Sequence, residues 1–320
     1  MTVERDEMPY IWKANKKGID RGAAHLAAGG LLGVPTETVY GLAADANNAK
    51  AVASIFETKG RPRFNPLILH VLHAEQAAGF VKLDHCARKL ITAHWPGPLT
   101  LVLPRQDDAS VADLVTAGLP TLAIRAPAHP VARALLEALG KPYVAPSANR
   151  SGRVSPTTAA HVAGEFGEAV PVLDGGPCAG GVESTIISLT DSRPTLLRPG
   201  GITKAEVEAV LGHPVALAGE GAAIAAPGMM KSHYAPNAAL RLNATNVEAG
   251  ERLLGFGGTP GATLDLSPTG DLREAAANLF AYLRRLDETP GPIAVAPIPQ
   301  GGLGLAINDR LARAAAPREG

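Results

Sequence analysis

Short β-rich runs alternate along this 320-residue chain with stretches of helical period, and most joints between them carry glycine or proline. That alternation constrains the fold most, because strand and helix bury their apolar residues on different periods and the chain switches between them repeatedly. "LLGVP" (31–35), "PLILHV" (66–71), "LTLVLP" (99–104), "TLAIRAP" (121–127), "VPVLDGG" (170–176) and "STIISL" (184–189) read as strands. "IDRGAAHLAAGG" (19–30), "NNAKAVASIFETKG" (47–60), "HPVARALLEALG" (129–140) and "PTTAAHVAGEFG" (156–167) read as helices. In the second of these, asparagines supply an N-cap, Val52, Ile55 and Phe56 share a face, and Gly60 stands where a helix terminates in the left-handed region. The order is too irregular for a pure βαβ series. We expect an α/β protein whose catalytic-sized domain, 10–211, is a mixed twisted sheet flanked by helices.

The periods fade at "GHPVALAGEGAAIAAPGMMKSHYAP" (212–236), which is rich in Gly, Ala and Pro and reads as a linker over 212–238. Beyond it, "RLLGFGG", "ATLDLS", "DLREAAANLFAYLRRLDE", "PIAVAPIP" and "LAINDRLARAA" alternate again, as expected for a small Rossmann-like α/β domain over 239–320. Lys+Arg and Asp+Glu both number 30, which argues against a protein that coats nucleic acid or membrane electrostatically, although a local basic cleft stays open. Cys86 and Cys178 are isolated from each other and from any histidine cluster, so neither a disulfide framework nor a zinc site is expected. The first residues lack a signal-peptide core and no apolar run could span a bilayer, so the chain is expected to be cytoplasmic and free of membrane.

Phosphate-cradle, zinc-protease, nucleophile-elbow and kinase motifs are all absent. "GFGGTPG" (255–261) misses dinucleotide-loop spacing by one residue. A bound nucleotide would therefore have to be held by side chains. "TKGRPRFNPLILHV" (58–71) offers Lys59, Arg61 and Arg63 within five positions, with Pro62 and Pro66 stiffening the loop and Asn65 adding an amide. These charges could be a helix end and solvated loop cations, or a rigid set of forked donors for phosphate. "APSANRSGRVSPTT" (145–158) is a polar loop between strand and helix, ordinary alone yet placed where α/β sheets bind anions. "PTETVYG" (35–41) is a hydroxyl-rich turn, and "GGVESTIISL" precedes Arg198 in "LLRPGG".

Taken together and in order, "PTETVYGL", "KGRP…NPLILHV", "WPGPLTLVL", "LAIRAP", "APSANRSG", "ESTII" and "RPG" resemble the YrdC-like family of threonylcarbamoyl-AMP synthases. "PGMMKSHYAP" and "GLGLAINDRL" are similar to its longer branch, which carries an extra Rossmann-like domain. The resemblance implies a nucleotidyltransferase that makes threonylcarbamoyl-AMP from L-threonine, bicarbonate or CO2 and ATP, with Mg²⁺ accompanying ATP on unassigned ligands. The product would pass to a threonylcarbamoyl transferase complex that modifies the tRNA adenosine beside the anticodon, tRNA itself being met indirectly or weakly. By motif position, Lys59 and Arg61 would be catalytic. ATP would be held by Lys59, Arg61, Asn65, Thr121, Ser147, Asn149, Ser155 and Arg198, with His233 and Tyr234 closing over it as a lid. L-threonine would meet Thr38, His70, Arg125, Ala145 and Ser184. His70 could equally be a satisfied strand histidine. Where some relatives carry Lys-Tyr-Arg in the linker, this chain has Met230, Lys231 and Ser232, so no role for a linker arginine carries over. The rival readings are a tRNA or double-stranded-RNA-binding module without turnover, carbamoyl transfer in hydrogenase maturation, and a structural partner of the modification machinery.

Overall fold

The computed structural model describes residues 10–219 and 226–317, so part of the expected linker, 220–225, lies outside the described residues, as does the start of the chain before residue 10. Eleven strands form one sheet: β1 (Ile11–Lys13), β2 (Leu32–Val34), β3 (Gly41–Asp45), β4 (Ile68–His70), β5 (Leu99–Pro104), β6 (Thr121–Arg125), β7 (Tyr143–Val144), β8 (Val172–Asp174), β9 (Thr185–Ser188), β10 (Thr195–Arg198) and β11 (Ala216–Leu217). They lie in the order β1-β8-β2-β3-β7-β4-β6-β5-β9-β10-β11. Parallel and antiparallel pairs both occur, so the sheet is mixed, as the irregular element order implied.

The helices obey the local signals. The helix Ala49–Lys59 starts at Asn48, whose side chain accepts from Ala51 N–H, and ends at Gly60 in the left-handed region (φ 60°). Val52, Ile55 and Phe56 bury its inner face in the main core with Leu69, Leu101 and Ile124. The helix Pro130–Leu139 places Pro130 in its first turn, where the missing N–H costs nothing.

Four further strands, β12 (Leu240–Arg241), β13 (Arg252–Gly255), β14 (Leu264–Asp265) and β15 (Ile293–Val295), form a second sheet in the order β12-β15-β13-β14, with every pair parallel. The helices Leu272–Asp287 and Gly304–Ala315 accompany it. One apolar cluster joins the two sheets' layers, because Val39, Val154 and Val182 pack with Leu279, Phe280 and Leu283. The segment after residue 211 departs from a plain linker. Ala216–Leu217 pair in parallel with Thr195–Leu196 and add the last strand to the large sheet. A two-residue strand is too short to leave a period in sequence.

Candidate active site

The central strands set the site's spacing. β4 and β6 run parallel with His70 in register with Arg125, and β7 places Tyr143 on the other side of His70. His70 and Arg125 line one cleft, shared with Thr38, Ala145, Ser147 and Ser184.

His70 Nδ1 lies 3.0 Å from the Ile68 carbonyl oxygen, which can only accept. The proton therefore sits on Nδ1, leaving Nε2 as an acceptor. Burial, reinforced by the charge of Arg125, holds the His70 pKa down at about 3, so the ring is neutral at physiological pH. It stacks on Tyr143 with centroids 5.2 Å apart. Arg125 donates to Thr38 Oγ1 at 2.9 Å, to Glu37 Oε1 at 2.5 Å and to the Gly97 carbonyl at 3.2 Å. Burial would raise the Glu37 pKa, but the Arg125 guanidinium outweighs it and holds the carboxyl below its usual range. This end of the cleft is a charge-balanced cradle with one exposed acceptor.

The other end is cationic. Lys59, Arg61 and Arg198 are only 2%, 7% and 3% exposed, and none forms an ion pair with a carboxylate among the described residues. Carbonyls hold them instead. Lys59 Nζ donates to Ser147 O at 2.5 Å and to Asn149 O. Arg61 donates to the carbonyls of Asn65 (3.2 Å) and Pro66 (2.8 Å), within its own loop. Arg198 donates to Ser184 O, Ser184 Oγ and Pro227 O. Burial, with the neighbouring Arg61 charge added, drives the Lys59 pKa well below the usual lysine value. The solvated-charge reading survives only for Arg63, which is exposed. Three buried basic groups without a direct carboxylate contact suit an anion, even with the Glu183 charge acting on Arg198.

The residues singled out in the sequence fall into two layers. Thr38, Arg61, His70, Arg125, Ala145, Ser147, Ser184, Arg198, His233 and Tyr234 line the cleft. Lys59, Asn65, Asn149 and Ser155 stand behind that lining as buried supports. Both amide hydrogens of Asn149 go to the carbonyls of Arg150 and Arg153, leaving its buried Oδ1 unpartnered. As placed, it offers an acceptor and no phosphate donor. Ser155 gives its hydroxyl hydrogen to Glu183 Oε1 at 2.5 Å and is likewise spent as a donor. Thr121 opens β6 opposite Pro104 and does not line the cleft.

The expected lid segment lies against this cleft. Pro227, Gly228, His233 and Tyr234 all line it. Tyr234 adopts φ 63°, rare for a bulky side chain, and stacks on Phe280 at 5.5 Å. Gly228 admits that ring, since a Cβ there would lie 2.7 Å from Tyr234 Oη. Burial, opposed only by the Glu183 charge among the nearer groups, holds the His233 pKa down at about 3. Buried His233 Nδ1, Tyr234 Oη and Asn65 Oδ1 have no partner among the described residues, which suits a polar ligand.

Three participants were not singled out in advance: Glu37, Glu183 and Arg310. The two acids each directly precede a cleft residue, in "ETVYG" and "ESTII", and lone acids beside hydroxyl-rich motifs were the available signal. Arg310 lies in "GLGLAINDRL" (302–311), a segment noted for its likeness to the longer branch without a site role being given to any residue in it.

The family profile described as telomere recombination matches residues 24–200, and the one described as threonylcarbamoyl-AMP synthase, C-terminal domain, matches 202–316. The chain belongs to the Sua5/YciO/YrdC family. It is 41% identical over 329 residues to the threonylcarbamoyl-AMP synthase of Bacillus subtilis, covering 95% of this chain and 94% of that protein. The crystal structure of Pyrococcus abyssi Sua5 complexed with L-threonine superposes with a TM-score of 0.87 at 39% identity, covering 94% of this chain and 95% of that one. The threonylcarbamoyl-AMP synthase of Halorhodospira halophila matches at 40% identity but spans 57% of this chain and 90% of its own length. This Sua5-type chain therefore has the two-domain form of the family, while some relatives match little more than half of it.

Proposed function

We propose that the cleft makes L-threonylcarbamoyladenylate from L-threonine, bicarbonate or CO2 and ATP, releasing pyrophosphate. The observation that carries this reading is a single cleft with two unlike ends: three buried cations without carboxylate partners beside a neutral, hydroxyl-lined cradle. L-threonine fits the cradle. Arg125, already oriented by Glu37 and Thr38, meets a carboxylate or carbamate, while neutral His70 Nε2 and Ser184 take part in hydrogen bonding. ATP phosphates fit the cationic end, with Arg61 and Arg198 facing them and Ser147 alongside. Lys59, Asn65, Asn149 and Ser155 act there from behind, and His233 and Tyr234 close the mouth over the nucleotide.

Once the threonine nitrogen carries its carboxylate, a carbamate oxygen attacks the α-phosphorus. The new P–O bond forms as the bond to pyrophosphate breaks, and the leaving group takes up the negative charge. Nothing in this step requires a protein nucleophile. Positioning and preorganised cations aimed at the departing oxygens suffice. Enclosure by the 227–236 segment shields the carbamate and the mixed anhydride from hydrolysis.

Glu183, which lines the cleft, and Glu37, which holds Arg125, are both bonded to arginines, and no group of three or more His, Cys, Asp or Glu able to hold a metal occurs among the described residues. Mg²⁺ is expected to arrive with ATP, as MgATP, on protein ligands that stay unassigned. The product's mixed anhydride is an activated acyl donor, suited to a separate transferase acting on tRNA. No described helix is long and apolar enough to cross a membrane, and we place the enzyme in the cytoplasm, where ATP and tRNA are at hand.

The test is pyrophosphate release with and without L-threonine and bicarbonate. Dependence on both supports the synthase. Release indifferent to threonine, or tight salt-sensitive tRNA binding without turnover, would favour the RNA-binding alternative.

A further inference from the structure

Arg310 belongs to the helix Gly304–Ala315 of the second domain, yet its side chain is wholly buried beside the cleft of the first. Its Nε donates to Glu183 Oε2 at 2.8 Å, and its Nη2 donates to the Pro199 carbonyl at 2.9 Å. The third arm donates to Asp309 Oδ2 at 2.5 Å, and Asp309 Oδ1 in turn accepts from Arg313, whose Nη1 donates to Met230 O at 2.6 Å. The guanidinium carbon stands 5.1 Å from the centroid of the Tyr234 ring. Glu183 and Tyr234 both line the cleft, and the remaining Glu183 oxygen accepts the Ser155 hydroxyl.

A purely structural tie between the domains would not need this placement. Arg284 already makes one, donating to the Val154 carbonyl and to Glu165 Oε1 at 2.8 Å without touching a cleft-lining side chain. Arg310 differs because its partners are the cleft's own carboxylate and aromatic ring. We propose that Arg310 is a positioning residue for the nucleotide end of the cleft, so that the second domain completes the active site in cis. It anchors the Glu183 carboxylate, through that group the Ser155 hydroxyl, and it backs the Tyr234 ring. The role belongs to the two-domain form of the family and rests on the assignment of ATP to the cationic end.

The test uses the full-length chain with R310M, E183Q and the double variant, measuring threonine-dependent pyrophosphate release. R310M and E183Q each raise KM for ATP by about tenfold or more, while KM for L-threonine moves less than about threefold. The double variant is no worse than the more severe single one, because both remove the same contact. R310M also acquires an acidic limb. Glu183 is faced by Arg310, Arg198, His233, Tyr234 and Ser155. With Arg310 gone, burial favours the protonated carboxyl, so activity falls as pH is lowered and returns as pH is raised, a limb that R310M/E183Q lacks. Should R310M not fold, R310K serves, since a lysine can meet Glu183 but cannot reach Pro199 O at the same time, giving an intermediate KM for ATP. Equal changes in both KM values, additive single effects, or a wild-type pH profile in R310M would overturn the proposal. Absence of threonine-dependent turnover in the unmodified chain would overturn the functional reading itself.

Discussion

Replacing Arg61 by alanine tests the cationic end directly. The guanidinium is buried, carries no carboxylate partner, and spends two donors on the carbonyls of Asn65 and Pro66, so its other edge is free to face the cleft. A unit charge about 4 Å from a phosphate oxygen, at an effective dielectric near 20, is worth about 4 kcal/mol. That corresponds to about 10³ in rate if the interaction forms fully only as charge develops on pyrophosphate. Lys59 and Arg198 remain and water enters the space, so a loss of about 10²-fold is the expected floor. Stability without ATP should change little. The carbonyls of Asn65 and Pro66 lose donors, at about 1–3 kcal/mol each if they stay dry, while the removal of a desolvated cation acts in the opposite direction. The assay is pyrophosphate release under saturating L-threonine and bicarbonate, accompanied by thermal unfolding with and without MgATP. Arg61→Ala should lose both the rate and most of the ATP-induced rise in Tm. A rate within about threefold of the unmodified enzyme would show that the buried guanidinium is structural and that the phosphates lie elsewhere.

Three more outcomes follow from the same geometry. Because burial and Arg61 depress the Lys59 pKa, an arriving polyanion should restore it, and calorimetry in buffers of different ionisation heat should show proton uptake on ATP binding that vanishes in Lys59→Met. His70 and His233, both held down at about 3, stay neutral in the fold while the unfolded chain protonates near 6.5, so stability present above about 6.5 is lost as pH falls towards 3. The Glu37 and Glu183 contributions, present above the ordinary carboxylate range, disappear as pH falls through their lowered folded values, in the same direction. A urea midpoint that does not drop between about pH 7.5 and pH 5 would contradict this account. Thr38→Val leaves Arg125 Nη1 without its 2.9 Å acceptor and should raise KM for L-threonine several-fold while leaving KM for ATP unchanged, a split read from steady-state kinetics.

The strand and helix order was legible because each element answers to a local cause. Asn48 caps, Gly60 terminates, Pro130 starts a helix, and the apolar residues of β4 and β6 are buried between neighbouring strands, with His70 and Arg125 turned to the cleft. The motif segments were legible for a related reason: each packs unusual hydroxyls, amides or cations into a few positions beside a strand. Their division of labour was not. Asn149 and Ser155 were expected to hold ATP, without a division between donor and acceptor, and hydrogen-bond accounting leaves the first an acceptor and makes the second a brace for Glu183.

Local chemistry along the chain thus carried the α/β alternation and the cationic loop, while the resemblance of the ordered motifs pointed to most of the side chains that line the cleft. Only tertiary structure decided which cations are buried without a carboxylate, because exposure and pairing depend on strands brought together from distant positions, as in the register of His70 with Arg125. The same holds for the contact between Arg310 and Glu183, which are 127 positions apart. No periodicity or motif spacing encodes such a pair. It exists because the apolar cluster of Val39, Val154, Val182, Leu279 and Phe280 docks the second domain with its helix Gly304–Ala315 against the mouth of the first.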